Sequence, residues 1–408
     1  MVTAVKPDER GQAVPARIGG SYGFRLALAI AERLEIGTLT IEAAGTSHRF
    51  EGKVPGPNGH LRLHRIRALR RFATRGALGF SEAYLDGDWD SPDLPRLLEV
   101  LALNEESLAD RYYGRRGFGW VPRLLHLLRP NTRRGSQRNI FAHYDLGNGF
   151  YRAWLDDTMT YSAARFASPD QSLEEAQRHK YATLAQNLRL GPRDHVLEIG
   201  CGWGGFAAFA AGEIGARVTA VTISRQQHAY AAERIQKAGL GERVDVQLKD
   251  YRDLEGTYSC LASIEMFEAV GEHYWPLFFS KVRERLAPCG RAGLQIITIA
   301  DRYFETYRRR ADFIQRHIFP GGMLPSPTVL HQQIQRAGLE LRREVTFGLD
   351  YARTLGQWGR RFQRAWPSLC EQGFDERFKR LWDYYLAYCE AGFRAGHTDV
   401  SQMTLERP

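Results

Sequence analysis

The sequence predicts a doubly wound α/β domain preceded by a smaller α+β domain. Three observations carry that prediction. From Ser172 onward, strand-like and helix-like segments alternate strictly, the pattern of a mostly parallel sheet covered by helices. The first of those strands runs into a glycine-rich turn and then into a helical apolar pattern. The chain has 408 residues, 43% hydrophobic and 25% charged, which is enough apolar material for more than one core.

In chain order, Phe24 to Leu34 carries apolar residues at helical spacing and Thr38 to Ile41 alternates like a strand. Ser47 to Gly52 and His60 to His64 read as short strands on either side of Pro55-Gly56-Pro57-Asn58-Gly59, a run dense in turn residues. Arg65 to Arg75 sets five arginines among Ile66, Leu69 and Phe72, a small basic amphipathic element. Leu94 to Leu108 is helical in pattern. Arg111 to Arg138 is rich in Arg, Gly and aromatics without periodicity and reads as a connector, giving domains over 1–135 and 136–408. Ser172-Leu173-Glu174-Glu175 is a capping box opening a helix to about Leu188. The strands that follow are His195–Ile199, Arg217–Ile223, Val244–Leu248, Cys260–Ile264 and Gly293–Ile299, with helices starting near Gly204, Arg225 and Glu272. The remainder offers helical stretches at Arg302–Ile318, Ser326–Ala337 and Glu376–Arg394 and one strand-like run, Glu340–Phe347.

Charge narrows the partners. The formal net charge is +9, and residues 1–140 hold 22 basic against 15 acidic residues, 20 of the basic ones arginine, the type suited to bidentate phosphate contacts. Such a composition excludes a disordered or collagen-like chain and leaves nucleic acid and anionic lipid open. Five scattered cysteines without zinc spacing predict no metal site and a reducing compartment. Met1 to Gly20 lacks an apolar signal core, and the longest apolar stretch, Leu26 to Ala31, is far short of a membrane span, so a cytoplasmic protein with at most peripheral membrane contact is expected.

The turn Gly200-Cys201-Gly202-Trp203-Gly204-Gly205 lets backbone swing from strand to helix and lets a ligand approach the main chain. It satisfies the dinucleotide fingerprint Gly-x-Gly-x-x-Gly. It satisfies equally, from Glu198 to Gly204, the Glu-x-Gly-x-Gly-x-Gly form of S-adenosylmethionine (SAM) sites. The second strand ends Val221-Thr222-Ile223-Ser224-Arg225, without the acid a NAD ribose wants, although Arg225 could meet an NADP phosphate. After the third strand, Asp250 can accept from an adenine amino group and Tyr251 can stack on the ring; solvated turn residues are the plainer alternative.

His143-Tyr144-Asp145-Leu146-Gly147-Asn148-Gly149-Phe150-Tyr151 leads to Leu155-Asp156-Asp157-Thr158-Met159-Thr160-Tyr161-Ser162. Together with Val196–Gly205, Val221–Gln227, Tyr251–Leu254 and Met266-Phe267-Glu268 in that order, and more weakly Ala83–Asp90, this set resembles the cyclopropane-fatty-acyl-phospholipid synthase family of SAM-dependent methyltransferases. The resemblance covers about residues 140–366. It implies a Rossmann-like methyltransferase domain and SAM as cofactor. By the same resemblance Tyr161 and Ser162 meet the methionine carboxylate, Gly200, Gly202 and Gly204 lie under the cofactor, Thr222 and Gln227 make contacts after the second strand, and Tyr251 lies on the adenine side.

The implied reaction methylates the double bond of an unsaturated acyl chain of a phospholipid and closes a cyclopropane ring. An isolated alkene is a poor nucleophile, so catalysis must come from alignment and from stabilising a carbocation. In the family the base is bicarbonate, held by a cysteine, a glutamate, a histidine and a tyrosine. Glu268 and Tyr351 match the glutamate and tyrosine, whereas the cysteine is Ala163, the histidine is Gln295, and Ala269 stands where histidine often follows the glutamate. Alanine offers no side-chain donor and glutamine cannot titrate, so bicarbonate stays open, as does the product: a cyclopropane, or a methylated, still unsaturated chain. Without the resemblance, Glu268 reads as a helix-start carboxylate and Tyr351 as a core residue. Phe313, His317, Phe319 and the turn Pro320–Pro325 are expected to line the acyl site.

Arg65–Arg75 is the expected docking surface for an anionic membrane, against a solvated salt-bridged face. Nucleic-acid methylation is the rival reading, but no base-methylation motif or nucleic-acid module is present. A non-catalytic lipid-binding protein on this fold is the third. The sequence does not fix the oligomeric state, and a homodimer stays open.

Overall fold

The computed structural model describes residues 22–109 and 146–408. The polar start Met1–Gly20, the connector Arg111–Arg138 and the motif residues His143–Asp145 lie outside the described residues. The chain divides into two compact units, one formed by Met1–Trp120 with Cys370–Ala395 and the other by Val121–Leu369 with Gly396–Pro408.

The first unit holds a four-stranded sheet, β1 (Ile36–Ala43), β2 (Thr46–Glu51), β3 (Val54–Leu63) and β4 (Trp89–Asp90), in the order β2-β1-β3-β4. The run Pro55–Gly59 is not a turn. It lies inside β3, which pairs parallel to β1 across a register shift between Ile36 and Thr38. Gly37 permits that close approach: its φ is 80°, and a Cβ there would sit 2.4 Å from the Pro57 carbonyl oxygen. The basic element is the first half of a longer helix, Arg67–Leu85, with a non-helical Gly76 inside. Its arginines are largely spoken for. Arg67 Nε donates to both oxygens of the fully buried Asp88 at 2.7 Å, Arg71 donates to Asp86 at 2.6 Å, and Arg75 pairs with Glu82. The solvated salt-bridged face thus describes these three side chains.

Helix Glu376–Arg394 belongs to this unit, although the expected second domain ran through to 408. Arg380 donates to the carbonyls of Tyr84 (2.6 Å) and Trp89 (2.8 Å), with its guanidinium 4.0 Å from the Tyr84 ring centroid.

The second unit is built on a seven-stranded sheet. Its strands are β5 (His195–Ile199), β6 (Arg217–Thr222), β7 (Val244–Leu248), β8 (Tyr258–Ile264), β9 (Leu286–Ile299), β10 (Glu340–Thr346) and β11 (Thr398–Glu406), in the order β10-β11-β9-β8-β5-β6-β7. β5 to β9 run parallel, and β11 is antiparallel to both β9 and β10. Parallel strands covered on both faces are apolar runs, as Val196, Leu197 and Ile199 are, each at most 1% exposed. One core packs Phe267, Trp275, Phe278 and Leu294 on one side, and another packs Leu184, Phe206 and Val218 on the other. The capping box holds: Ser172 accepts from the Glu175 N–H, Glu175 accepts from the Ser172 N–H, and the helix Leu173–Leu188 follows.

Three elements depart from expectation. The stretch Arg302–Ile318 is not one helix but Asp301–Arg309 and a separate π-helical turn, Ile314–Ile318, since Arg310 adopts extended backbone. A 24-residue helix, Gly348–Glu371, carries Tyr351 where no helix was expected. β11 is the other unexpected element. It runs between β9 and β10, which explains why polar Ser401, Gln402 and Thr404 are buried. The strand order reverses direction between β5 and β8, and the carboxyl ends there form the crevice where doubly wound sheets take ligands.

Candidate active site

At the end of β5 the glycine loop takes conformations that side chains resist. Gly200, Gly202 and Gly204 have φ of 82°, 52° and 79°. A Cβ on Gly200 would lie 2.5 Å from Met266 Cγ, while one on Gly202 would meet nothing within 4 Å, so the loop presents bare backbone to open space. Bare backbone of this kind fits a ligand that approaches the main chain closely, as SAM would. Glu198 lies beneath it, 3% exposed, with Oε2 lacking a hydrogen-bond partner; burial raises its carboxyl to about 8. After β6, Thr222 Oγ1 donates to Gln227 Oε1 at 2.9 Å and also caps Ser224 N. After β7, both Asp250 oxygens accept from the Arg252 side chain, at 2.9 and 2.6 Å, and the Tyr251 ring packs edge-on to Phe278 with centroids 5.7 Å apart. Burial pushes the Tyr251 hydroxyl up to about 12. Tyr161 stands in an aromatic nest with Tyr151, Trp154 and Trp358 at 5.3–5.7 Å between centroids.

The expected bicarbonate residues do not converge on Glu268. They converge on Glu265, which the sequence reading did not single out. Glu265 Oε1 accepts from the Ala163 backbone N–H at 2.8 Å and from Gln295 Nε2 at 2.7 Å, and Oε2 accepts from the Tyr351 hydroxyl at 2.8 Å. Gln295 is oriented by Gln402, whose Nε2 lies 3.4 Å from Gln295 Oε1. Glu268 Oε1 accepts from Ile297 N at 2.6 Å, and its buried Oε2 has no hydrogen-bond partner. Burial, reinforced by the charge of Glu265, pushes the Glu268 carboxyl up to about 8, so it is protonated at neutral pH. Burial likewise raises Glu265, opposed by Lys180 and by its three donors.

Two signals could have pointed to Glu265: an acid at the carboxyl end of a central strand, and a Glu three residues before another. The structure adds a third. Its φ is 49°, a left-handed conformation that favours glycine. Lys180 was also missed. It is fully buried and donates to Ser162 Oγ at 2.7 Å and to Gln177 Oε1 at 2.6 Å.

Of the expected acyl-lining residues, Phe313 and Met323 are buried, and the segment closes over Glu268 through Met323 N, which donates to the Glu268 carbonyl at 2.9 Å. Gln315 Nε2 donates to the Gly322 carbonyl at 3.1 Å and so ties the π-helical turn to that segment. Among the described residues no cluster of potential metal ligands occurs, and no helix is long and apolar enough to cross a membrane.

Comparison with known proteins places this geometry. The family model for mycolic acid cyclopropane synthetase matches residues 131–403. Tuberculostearic acid methyltransferase UfaA1 of Mycobacterium tuberculosis is 41% identical over 365 residues, covering 85% of this chain and 82% of that protein. The cyclopropane-fatty-acyl-phospholipid synthase of Escherichia coli K12 is 34% identical over 340 residues, 83% of this chain and 85% of that one. Among solved structures, mycolic acid cyclopropane synthase CmaA1 complexed with SAH and CTAB superposes with a TM-score of 0.62 at 29% identity, covering 69% of this chain and 99% of that chain. The chain belongs to the family of cyclopropane fatty acid synthases and related lipid methyltransferases, enzymes that use SAM.

Proposed function

We propose that the protein methylates the double bond of an unsaturated fatty acyl chain of a phospholipid and releases the chain carrying a methylene branch, with Glu265 as the base. The observation that carries this reading is the seating of a protein carboxylate among Tyr351, Gln295 and the Ala163 amide, three of the positions where the resemblance puts bicarbonate donors. A fixed anion there removes the need for a bound one, and Ala163 and Gln295 replace the cysteine and histidine that would hold it.

SAM supplies an electrophilic methyl on a sulfonium. The glycine cradle, Tyr161, Ser162, Thr222, Gln227, Asp250 and Tyr251 would hold it, and Glu198 would support the loop from below. The alkene π electrons form the new C–CH3 bond as the S–CH3 bond breaks, leaving a cation on the neighbouring carbon. Glu265 stabilises that charge at close quarters. A 1,2-hydride shift moves the cation to the methyl-bearing carbon, where it is tertiary. Glu265 Oε2 then takes a proton from the methyl, giving C=CH2. Burial raises Glu265 above the usual carboxylate range, toward the pH at which a general base works best. Glu268, protonated, adds no second charge to oppose this.

Ring closure removes a proton from the same methyl before the hydride moves, and the kinship with the Escherichia coli synthase favours that second reading. The methyltransferase name of the 41% identical relative supports the first. We also place the enzyme on the cytoplasmic face of an anionic membrane, from which it draws its lipid. The test is incubation with methyl-labelled SAM and vesicles carrying a monounsaturated phospholipid. Labelled lipid is expected, and RNA should take no label; labelled RNA or unlabelled lipid would overturn the reading.

A further inference from the structure

Lys180 is a costly residue for the second unit to bury. Its side chain is wholly buried, and the two acceptors it meets, Ser162 Oγ and Gln177 Oε1, are both neutral. Among the described residues no carboxylate lies within ion-pairing distance of it. A buried ammonium without a contacting counter-ion is expensive, and a methionine of similar length would fill the same space at no such cost. Its surroundings suggest what the charge is for. Asp156 faces it from the segment after helix Asn148–Trp154, Glu198 from β5 and Glu265 from the end of β8, while Tyr181 on its own helix presents its ring 4.8 Å away.

The link to Glu265 is short. Lys180 bonds the side chain of Ser162, and the backbone N–H of the next residue, Ala163, bonds Glu265 Oε1. Gln177 braces the lysine from the other side, its Nε2 donating to the Ser162 carbonyl at 2.9 Å. Glu265 thus has its three direct donors at one end of this path and an ammonium at the other, and Glu268 feels its charge.

We propose that Lys180 is a positioning residue whose buried charge keeps Glu265 ionised until it takes the proton from the substrate. The inference rests on the reading of Glu265 as the base. Burial alone pushes Lys180 down and Glu265 up, toward a neutral pair in which the base has already been used; their mutual attraction opposes this. Because an ammonium only donates, it also leaves the Ser162 hydroxyl hydrogen free to point at an anion.

The test is Lys180→Met, with Lys180→Gln as the second variant if the first does not fold and Lys180→Arg as the charge-conserving control. In ligand-free protein, infrared difference spectra against Glu265→Gln identify the Glu265 carboxyl and follow its titration. Expected is a rise in its midpoint by at least one pH unit in Lys180→Met, a matching shift of the acid limb of the pH–rate profile, and a change of less than about half a pH unit in Lys180→Arg. A Glu265 midpoint unchanged in both Lys180→Met and Lys180→Gln overturns the inference. Full product formation by Glu265→Gln would instead overturn the reading of the base, so the two failures are told apart.

Discussion

A glutamate at position 265 is held in a left-handed conformation that glycine would adopt without strain, at a cost of about 1–2 kcal/mol. Such strain persists when something is gained, and here a carboxylate is delivered to three donors. Glu265→Gln keeps an acceptor for Ala163 N but cannot take a proton. Labelled product should fall by about 10²–10⁴-fold, while SAH affinity measured by calorimetry stays within a few-fold. A variant that loses SAH binding in proportion would contradict the role. Glu268 gives a pH prediction. Its folded-state pKa of about 8 lies above the ordinary value near 4.5, so the native state holds a proton that the unfolded chain releases, and stability falls as pH rises from about 4.5 to 8. Glu268→Gln removes that penalty. Its Tm advantage over the parent protein should therefore grow from pH 5 to pH 9, and a constant difference would count against the assignment. Tyr351 and Gln295 were legible in the sequence because motif order marked them. Glu265 carried only the weaker signal of an acid at the end of a strand, because nothing in a linear string says that Ala163, Gln295 and Tyr351 aim at it.

At the scale of elements, the sequence was most informative where periodicity and punctuation agree. The capping box at Ser172 and the five parallel strands are of this kind. Pro55–Gly59 misled because turn residues also serve a bulged strand, and only the parallel partner β1 reveals which. The helix Gly348–Glu371 was hidden by interior glycines and by Pro367, although Tyr351, Leu355, Trp358 and Phe362 recur at helical spacing on its buried side. β11 was missed because the partners of its buried polar residues lie far away in sequence, as Gln295 does for Gln402 Nε2 and Glu344 for Ser401 Oγ. The glycine loop makes a sharp prediction at this scale. Gly200→Ala forces a Cβ to 2.5 Å from Met266 at a φ of 82°. SAH affinity should drop at least tenfold with the fold retained by circular dichroism, and unchanged binding would show that the cradle does not hold the cofactor.

For the whole molecule, the first unit is closed by a helix from near the carboxyl terminus, and Arg380 supplies two of its backbone contacts. Arg380→Ala should destabilise that unit by on the order of 2 kcal/mol, seen as faster proteolysis within residues 22–109 and little change in SAH binding; equal protection of both units in the variant would argue against this closure. The charge excess of the first third is also reinterpreted at this scale. With Arg67, Arg71 and Arg75 committed to Asp88, Asp86 and Glu82, part of the basic character serves the fold. The product, however, is decided by the fate of the carbocation that the proposed reaction forms beside Glu265. The most direct measurement is carbon-13 NMR of the lipid formed from carbon-13-methyl SAM and a monounsaturated phospholipid, since the two candidate products are isomers of equal mass. The label is expected as an alkene CH2 carbon, far downfield, without added bicarbonate. Label in an upfield cyclopropane CH2, formed only when bicarbonate is present, would contradict this expectation.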